Sequence, residues 1–197
     1  RRLPPSCRPT RRPPAAIRPA ARLCRRASSG EIGFARNGIV SASRPRSFLG
    51  LSSGGRSAIV RTRGNPYGHV VLRGGDGRPN YDTVSVRMAE EILEKAGLAP
   101  NIVVDCSHAN SFKQPELQPL VLADVVHQVR LGSESLVGAM IESNLVAGNQ
   151  PIPADLKQLR YGCSVTDACV DWDTTANMLR EAAQLLREAL PARLTTA

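Results

Sequence analysis

No run of about 18 uninterrupted apolar residues occurs in the chain, which excludes a transmembrane helix. No Cys-x-x-Cys pair occurs either. Cys7, Cys24, Cys106, Cys163 and Cys169 are odd in number and scattered, which argues against a disulfide framework or a zinc ribbon and for reduced thiols inside a cell. Aromatic residues make up only 4% of the sequence, and residues 1–30 contain none of them and no Asp or Glu. Those thirty residues carry nine Arg, whereas residues 31–197 hold 17 Lys/Arg against 17 Asp/Glu. The formal net charge of +9 therefore belongs wholly to the N-terminal head. A basic excess confined there is not a nucleic-acid footprint of the folded part, and neither a nucleic acid nor a membrane is expected as a partner.

The head also has six prolines within 30 residues, which forbid a continuous helix, and little apolar surface to offset the entropy of ordering. Residues 1–46 are expected to be an Arg/Pro-rich head, disordered or non-native, with 31–46 undecided, and 47–197 to be the folded part. The head fits three readings: an organelle transit peptide, a basic arm for an acidic partner, or a segment that is not native coding sequence. A cytoplasmic location is expected, or an organelle if the head is a transit peptide. Position 1 is Arg rather than Met, as expected of a fragment or a processed product.

From residue 47 the pattern becomes regular. Gly54-Gly55 suits a hairpin joining Phe48-Leu49 to residues 58–60. His69-Val70-Val71-Leu72 reads as a strand, and Asp82 can cap a helix through about Ala96 with Val84, Met88, Ile92 and Ala96 on one face, ended by Gly97. Ile102-Val103-Val104-Asp105 reads as a buried strand. Leu117, Leu120, Val121, Val125 and Val129 mark a helix stopped near Gly132, and residues 136–141 a third strand. After a long polar loop, Asp173 is expected to cap a last helix carrying Leu179, Ala182, Leu185, Leu186 and Leu190. Repeated βα units imply an α/β fold with a parallel sheet, either Rossmann-like or part of a (β/α)8 barrel. Arg73-Gly74-Gly75-Asp76-Gly77 leads to Pro79 rather than straight into a helix, so no dinucleotide site is expected.

Chemistry-bearing residues recur at the ends of the three strands. Arg73 follows the first, His108 the second and Glu142 the third, at separations of 35 and 34 residues, one βα unit each. An Arg, a His and a Glu therefore fall at equivalent C-terminal strand ends, the face that carries chemistry in a (β/α)8 barrel. The loop after Glu142 presents Asp167 in Val165-Thr166-Asp167-Ala168-Cys169. One imidazole and two carboxylates make a partial ligand set for a divalent metal, and an Arg fork suits a phosphate or carboxylate. Taken singly, His108 could be a hydrogen-bonded strand-end residue, Glu142 a cap, Asp167 a turn and Arg73 a salt-bridge partner. Their co-location favours function, and Cys106 and Cys163 nearby are read as structural.

Four segments, in order, carry a resemblance: Gly64-Asn65-Pro66-Tyr67-Gly68-His69-Val70-Val71-Leu72-Arg73-Gly74-Gly75; Val104-Asp105-Cys106-Ser107-His108-Ala109-Asn110-Ser111; Met140-Ile141-Glu142-Ser143-Asn144-Leu145 with Gly148-Asn149-Gln150; and Tyr161-Gly162 through Thr166-Asp167-Ala168-Cys169 to Trp172. From about Ser47 to about Leu190 the chain resembles the C-terminal part of the class I 3-deoxy-D-arabino-heptulosonate 7-phosphate (DAHP) synthases. The resemblance implies a (β/α)8 TIM barrel, of which about the last three βα units and a β-hairpin are present. It also implies condensation of phosphoenolpyruvate with erythrose 4-phosphate, the first step of the shikimate pathway to aromatic amino acids. By the same resemblance His108, Glu142 and Asp167 match metal ligands for Mn, Fe, Co or Zn. Arg73 matches a phosphoenolpyruvate-binding arginine, and Asp167 lies near the aldehyde substrate.

Some family features have no counterpart here. Nothing corresponds to the family's fourth ligand, a Cys in a Lys-Pro-Cys context, and Cys7 and Cys24 do not match it. The Lys-Pro-Arg-Thr-type loop, a second phosphate-binding arginine and the Lys of a Gly-Phe-Lys-Asn-Gly segment are also missing. Gly33-Phe34-Ala35-Arg36-Asn37-Gly38 is only faintly similar to that segment, and no role is carried over to it. Three units leave two open strand edges, so this chain alone is expected to bind metal weakly and to make no detectable DAHP. The alternative is a non-catalytic partner for binding or oligomerisation with a complete synthase. In feedback-inhibited relatives the hairpin helps form an aromatic amino-acid pocket, and Phe48, Gly50 and Val60 match pocket positions. Gly at position 50 resembles tyrosine-sensitive rather than phenylalanine-sensitive forms. A homo-oligomer is expected when full length.

Overall fold

The computed structural model describes residues 32–195, so the disorder expected of residues 1–31 lies outside the described residues. Five strands and five α-helices are described. Helix α1 (Ile32–Ser43) is followed by a hairpin of β1 (Arg46–Leu51) and β2 (Ser57–Thr62). Then come β3 (Val70–Leu72), α2 (Thr83–Glu94), β4 (Ile102–Asp105), α3 (Gln118–Arg130), β5 (Leu136–Met140), α4 (Trp172–Leu185) and α5 (Ala189–Thr195). Strands β3, β4 and β5 lie in that order in one parallel sheet, with Leu72 beside Val104 and Asp105 beside Met140. The βα repeat expected from the alternating apolar runs is therefore present. Its sequential strand order sets three C-terminal strand ends side by side.

The core lies between this sheet and its helices. Val70, Leu72, Ile102, Val104, Cys106 and Leu136 project from the strands, and Val86, Ala89 and Leu93 meet them from α2. Helix α3 adds Val121, Leu122, Val125, Val126 and Val129. The face expected for α2 is corrected: Val84 and Met88 are exposed, and the buried row is Val86, Ala89 and Leu93. Steps of four residues drift about 40° around a 3.6-residue helix, so the longer row 84–88–92–96 cannot stay on one face. The row at spacings of three and four does. The last helix differs for a related reason. Its cap is Asp171, whose carboxylate accepts the Thr174 N–H at 2.8 Å, while Asp173 sits within the first turn. The expected leucine face is divided between α4 and α5, with Thr175 and Met178 buried and Leu179, Leu185 and Leu190 exposed.

Residues 32–43, undecided from sequence, form a helix that docks on α2 and β3. Ile39 enters the core there. Gly68 permits the approach, because a Cβ at that position would lie 2.7 Å from Ile39 Cγ2.

The N-terminus of α2 is fixed by Asp82, as its sequence position implied. One carboxylate oxygen accepts the Val84 and Ser85 N–H groups at 3.0 Å, and the other accepts the Ser85 hydroxyl at 2.6 Å. Partial burial alone would raise the Asp82 pKa, but the Ser85 hydroxyl and the two N–H donors outweigh it and leave the value below the ordinary one. Asp82→Ala should therefore lower stability by about 1 kcal/mol at neutral pH. Because the folded-state pKa is depressed, the cap's contribution is present above the unfolded-state value and lost as pH falls through the folded one. Urea unfolding of both proteins at neutral pH and at pH 3 checks this; the gap between them should narrow in acid.

Candidate active site

The three strand ends deliver their side chains by different local means. Arg73 directly follows β3, and the chain turns at once through Gly74, whose φ is 70°. A Cβ at Gly74 would lie 2.7 Å from both Ala109 Cβ and the Arg78 carbonyl oxygen. Only glycine lets the loops after β3 and β4 approach so closely. Asn110 ties the two strand ends together, donating to the Leu72 and Asp105 carbonyls at 3.0 and 2.8 Å.

His108 opens a short 3-10 turn after β4 and has a φ of 56°. This left-handed conformation is uncommon for a residue with a side chain, and such outliers gather at functional sites. Glu142 follows β5 and is held through its backbone by the fully buried Gln118. The Glu142 N–H donates to Gln118 Oε1 at 2.9 Å, and Gln118 Nε2 donates to the Glu142 carbonyl at 3.1 Å. Asp167 arrives from the long loop, which folds back beside the sheet through bridges between Ser143 and Val170 and between Gly148 and Cys169.

The result is a convergent cluster. His108 Nε2 lies 3.5 Å from Glu142 Oε1 and 3.7 Å from Asp167 Oδ2. One ligand atom from each of the three residues falls within 4.8 Å of the others. Ligand atoms arranged tetrahedrally around a metal at bonds of about 2.1 Å would be about 3.4 Å apart, close to the two distances from His108 Nε2, and the donor types suit a divalent ion. Burial pushes the Glu142 carboxyl above its ordinary pKa; His108 opposes this, and the carboxylates of Asp167 and Asp105 reinforce it. Negative groups crowded in this way favour a bound cation. Ser107, Ser111 and Lys113 line the same small cleft.

Sequence reasoning placed Arg73, His108, Glu142 and Asp167 here but gave no role to Asp105. That carboxylate is 2% exposed. Its Oδ2 lies 3.0 Å from His108 Nδ1 and 3.9 Å from Arg73 Nε, so one oxygen faces both the imidazole and the guanidinium. The available signal was an acidic residue closing an otherwise apolar strand, three positions before the histidine. Cys106 is fully buried, and burial together with the Asp105 charge pushes its thiol up to about 12. That makes it an inert, protonated core group.

Phe48, Gly50 and Val60 meet on one face of the β1–β2 hairpin. Phe48 and Val60 are cross-strand partners, and a Cβ at Gly50 would lie 2.8 Å from Val60 Cγ2. No helix among the described residues is long and apolar enough to cross a membrane.

Comparison with known proteins places these observations. Residues 23–180 match the family model described as the DAHP synthetase I family, a match that begins well before Ser47. The Tyr-sensitive phospho-2-dehydro-3-deoxyheptonate aldolase of Escherichia coli K12 is 44% identical over 167 residues, covering 85% of this chain and 47% of the relative. A tyrosine-inhibited phospho-2-dehydro-3-deoxyheptonate aldolase of Schizosaccharomyces pombe is 44% identical over 163 residues, 81% of this chain and 44% of its own length. Among solved structures, the phospho-2-dehydro-3-deoxyheptonate aldolase of Francisella tularensis SCHU S4 superposes with a TM-score of 0.76 at 43% identity, covering 82% of this chain and 46% of that one. The chain spans about half the length of these relatives.

Proposed function

The chain belongs to the DAHP synthetase I family, and from that premise we propose that it carries the metal- and phosphoenolpyruvate-binding strand ends of a DAHP synthase. The reaction joins phosphoenolpyruvate to erythrose 4-phosphate with the addition of water and the release of phosphate. The observation that carries this reading is the convergence of His108 Nε2, Glu142 Oε1 and Asp167 Oδ2, with Arg73 linked to His108 through Asp105. A divalent metal held by those three atoms supplies Lewis-acid polarisation of the aldehyde oxygen. Arg73 is the group for phosphoenolpyruvate: a permanent charge with a planar fork that binds a phosphate or carboxylate and holds the enol carbon against the aldehyde. Asp167 is the most exposed of the three, with its side chain 61% accessible, and by the family resemblance it lies near the aldehyde substrate.

We read the three-stranded sheet as part of a (β/α)8 barrel. Strands β3 and β5 each have a single partner among the described residues, and Val137 and Met140 on β5 are exposed. Apolar strand residues of this kind are covered when a barrel closes. The hairpin face of Phe48, Gly50 and Val60 is proposed as part of an aromatic effector pocket for tyrosine, with glycine at position 50 letting the Val60 methyl pack into the space a side chain would take. Its opposite face exposes Leu49, Leu51 and Ile59, which suits assembly into a homo-oligomer.

Turnover tests the proposal. Phosphoenolpyruvate, erythrose 4-phosphate and Mn²⁺ are supplied to the 197-residue chain alone, and to the chain mixed with the part of the E. coli relative that precedes its matched region. DAHP is expected only in the mixture and not after His108→Ala. Product in neither sample would favour the non-catalytic binding role. In the active mixture tyrosine should inhibit, and inhibition by phenylalanine alone would overturn the effector assignment.

A further inference from the structure

We propose that Asp105 is a positioning residue that fixes the His108 proton on Nδ1 and so leaves the Nε2 lone pair free toward Glu142 and Asp167. That Nε2 serves as a metal ligand rests on the functional reading above; the location of the proton does not. Asp105 Oδ1 accepts the Ser107 N–H at 2.9 Å and the Ser107 hydroxyl at 2.6 Å. Ser107 Oγ also hydrogen-bonds toward Glu142, and of its neighbours the carboxylates, being charged acceptors, draw its single proton more strongly than a neutral ring nitrogen does. The hydroxyl oxygen lies 2.6 Å from His108 Nδ1, and Asp105 Oδ2 lies 3.0 Å from the same nitrogen. Asp105 Oδ2 can only accept, and with the hydroxyl proton on a carboxylate Ser107 Oγ also presents a lone pair, so the ring donates from Nδ1. The opposite tautomer would set the Nδ1 lone pair against the Asp105 Oδ2 carboxylate at 3.0 Å, and turning the Ser107 hydroxyl to Nδ1 would cost its charge-assisted bond to Asp105 Oδ1. The Nε2–H of that tautomer would face carboxylates only at 3.5 and 3.7 Å, too far for good hydrogen bonds.

In Asp105→Asn one carboxylate oxygen becomes an NH₂ donor. The Ser107 N–H is a backbone donor and cannot reverse, so it pins the amide oxygen at the Oδ1 position. The NH₂ group must then face His108 Nδ1 as a donor, which forces the ring proton to Nε2. An isosteric change at a buried residue should thus invert the tautomer of its neighbour. Arg73 Nε, 3.9 Å from Oδ2, would lose its opposing charge in the same substitution.

The experiment is ¹⁵N NMR of the imidazole nitrogens in the metal-free chain at alkaline pH, where the ring is neutral. Only His69, His108 and His127 need assignment. Wild type should show His108 protonated on Nδ1, Ser107→Ala should retain that state, and Asp105→Asn should show the proton on Nε2. In parallel, Mn²⁺ titration should show affinity lower in Asp105→Asn by about 10- to 100-fold. A wild-type ring protonated on Nε2 would overturn the inference. So would an Asp105→Asn ring still protonated on Nδ1 with unchanged Mn²⁺ affinity. If Asp105→Asn fails to fold by circular dichroism, the wild-type and Ser107→Ala spectra decide alone. If the tautomer inverts as described but even wild type does not bind Mn²⁺, the inference stands and the metal-site reading fails.

Discussion

Replacing His108 with alanine is expected to remove measurable Mn²⁺ binding, a loss of more than about 100-fold. Three donor atoms converge among the described residues, two of them carboxylate oxygens and one the sole nitrogen. Altering a group that merely orients a ligand costs about 10- to 100-fold in metal affinity, so deleting a ligand outright must cost more. The imidazole is also the geometric hub, since Nε2 faces Glu142 and Asp167 while Nδ1 faces Asp105. Without it, the two remaining carboxylates and Asp105 are left as neighbouring negative groups with no intervening ring. Asp167→Ala should be milder, because its side chain is 61% accessible and water can take its place. Equilibrium dialysis against Mn²⁺, with unfolding midpoints as a control, measures both. Unchanged Mn²⁺ affinity in the His108 variant would show that any ion held by this chain sits elsewhere.

The parts of this site that were legible in the sequence are those fixed by strand periodicity. Arg73, His108 and Glu142 each follow an apolar run at one βα repeat, and parallel pairing in the order β3-β4-β5 makes equal spacing along the chain into adjacency in space. Asp167 was reachable only as a loop residue of the right chemistry. Its placement depends on bridges such as Ser143 with Val170, which leave no periodic trace. Asp105 was hidden because an acid at a strand end reads equally as a boundary residue; its role appears only when Oδ2 is seen to face two other side chains. Helix α2 shows the same limit in packing. Its buried face is set by which row meets Val70, Leu72 and Ile102, and the sequence offers two apolar rows. Helix α1 was undecided because its sequence, IGFARNGIVSAS, is weakly amphipathic, and tertiary packing through Ile39 does what local propensity does not.

Arg73→Ala is expected to weaken phosphoenolpyruvate binding by roughly tenfold to a hundredfold, the range set by about 1.5–3 kcal/mol for a hydrogen-bonded charge. The size of the effect follows from how the charge is distributed. Outside the first thirty residues, basic and acidic residues balance at 17 each, so no general positive field is available to hold a triply charged substrate. Recognition has to come from single charges placed at the strand ends. Arg73 is partly buried, with its side chain 24% accessible, and its nearest fixed partner is Asp105 at 3.9 Å. That distance is an ion pair without a close hydrogen bond, which leaves guanidinium donors free to form new bonds with a ligand. Arg73→Lys should recover only part of the loss, because an ammonium restores the charge but not the planar fork. Calorimetric titration with phosphoenolpyruvate, and steady-state kinetics in the reconstituted mixture, should show the defect in the KM for phosphoenolpyruvate while the KM for erythrose 4-phosphate stays near wild type. If both constants rise together, Arg73 acts by holding Asp105 and His108 in place. If neither rises, the phosphate is held by another group.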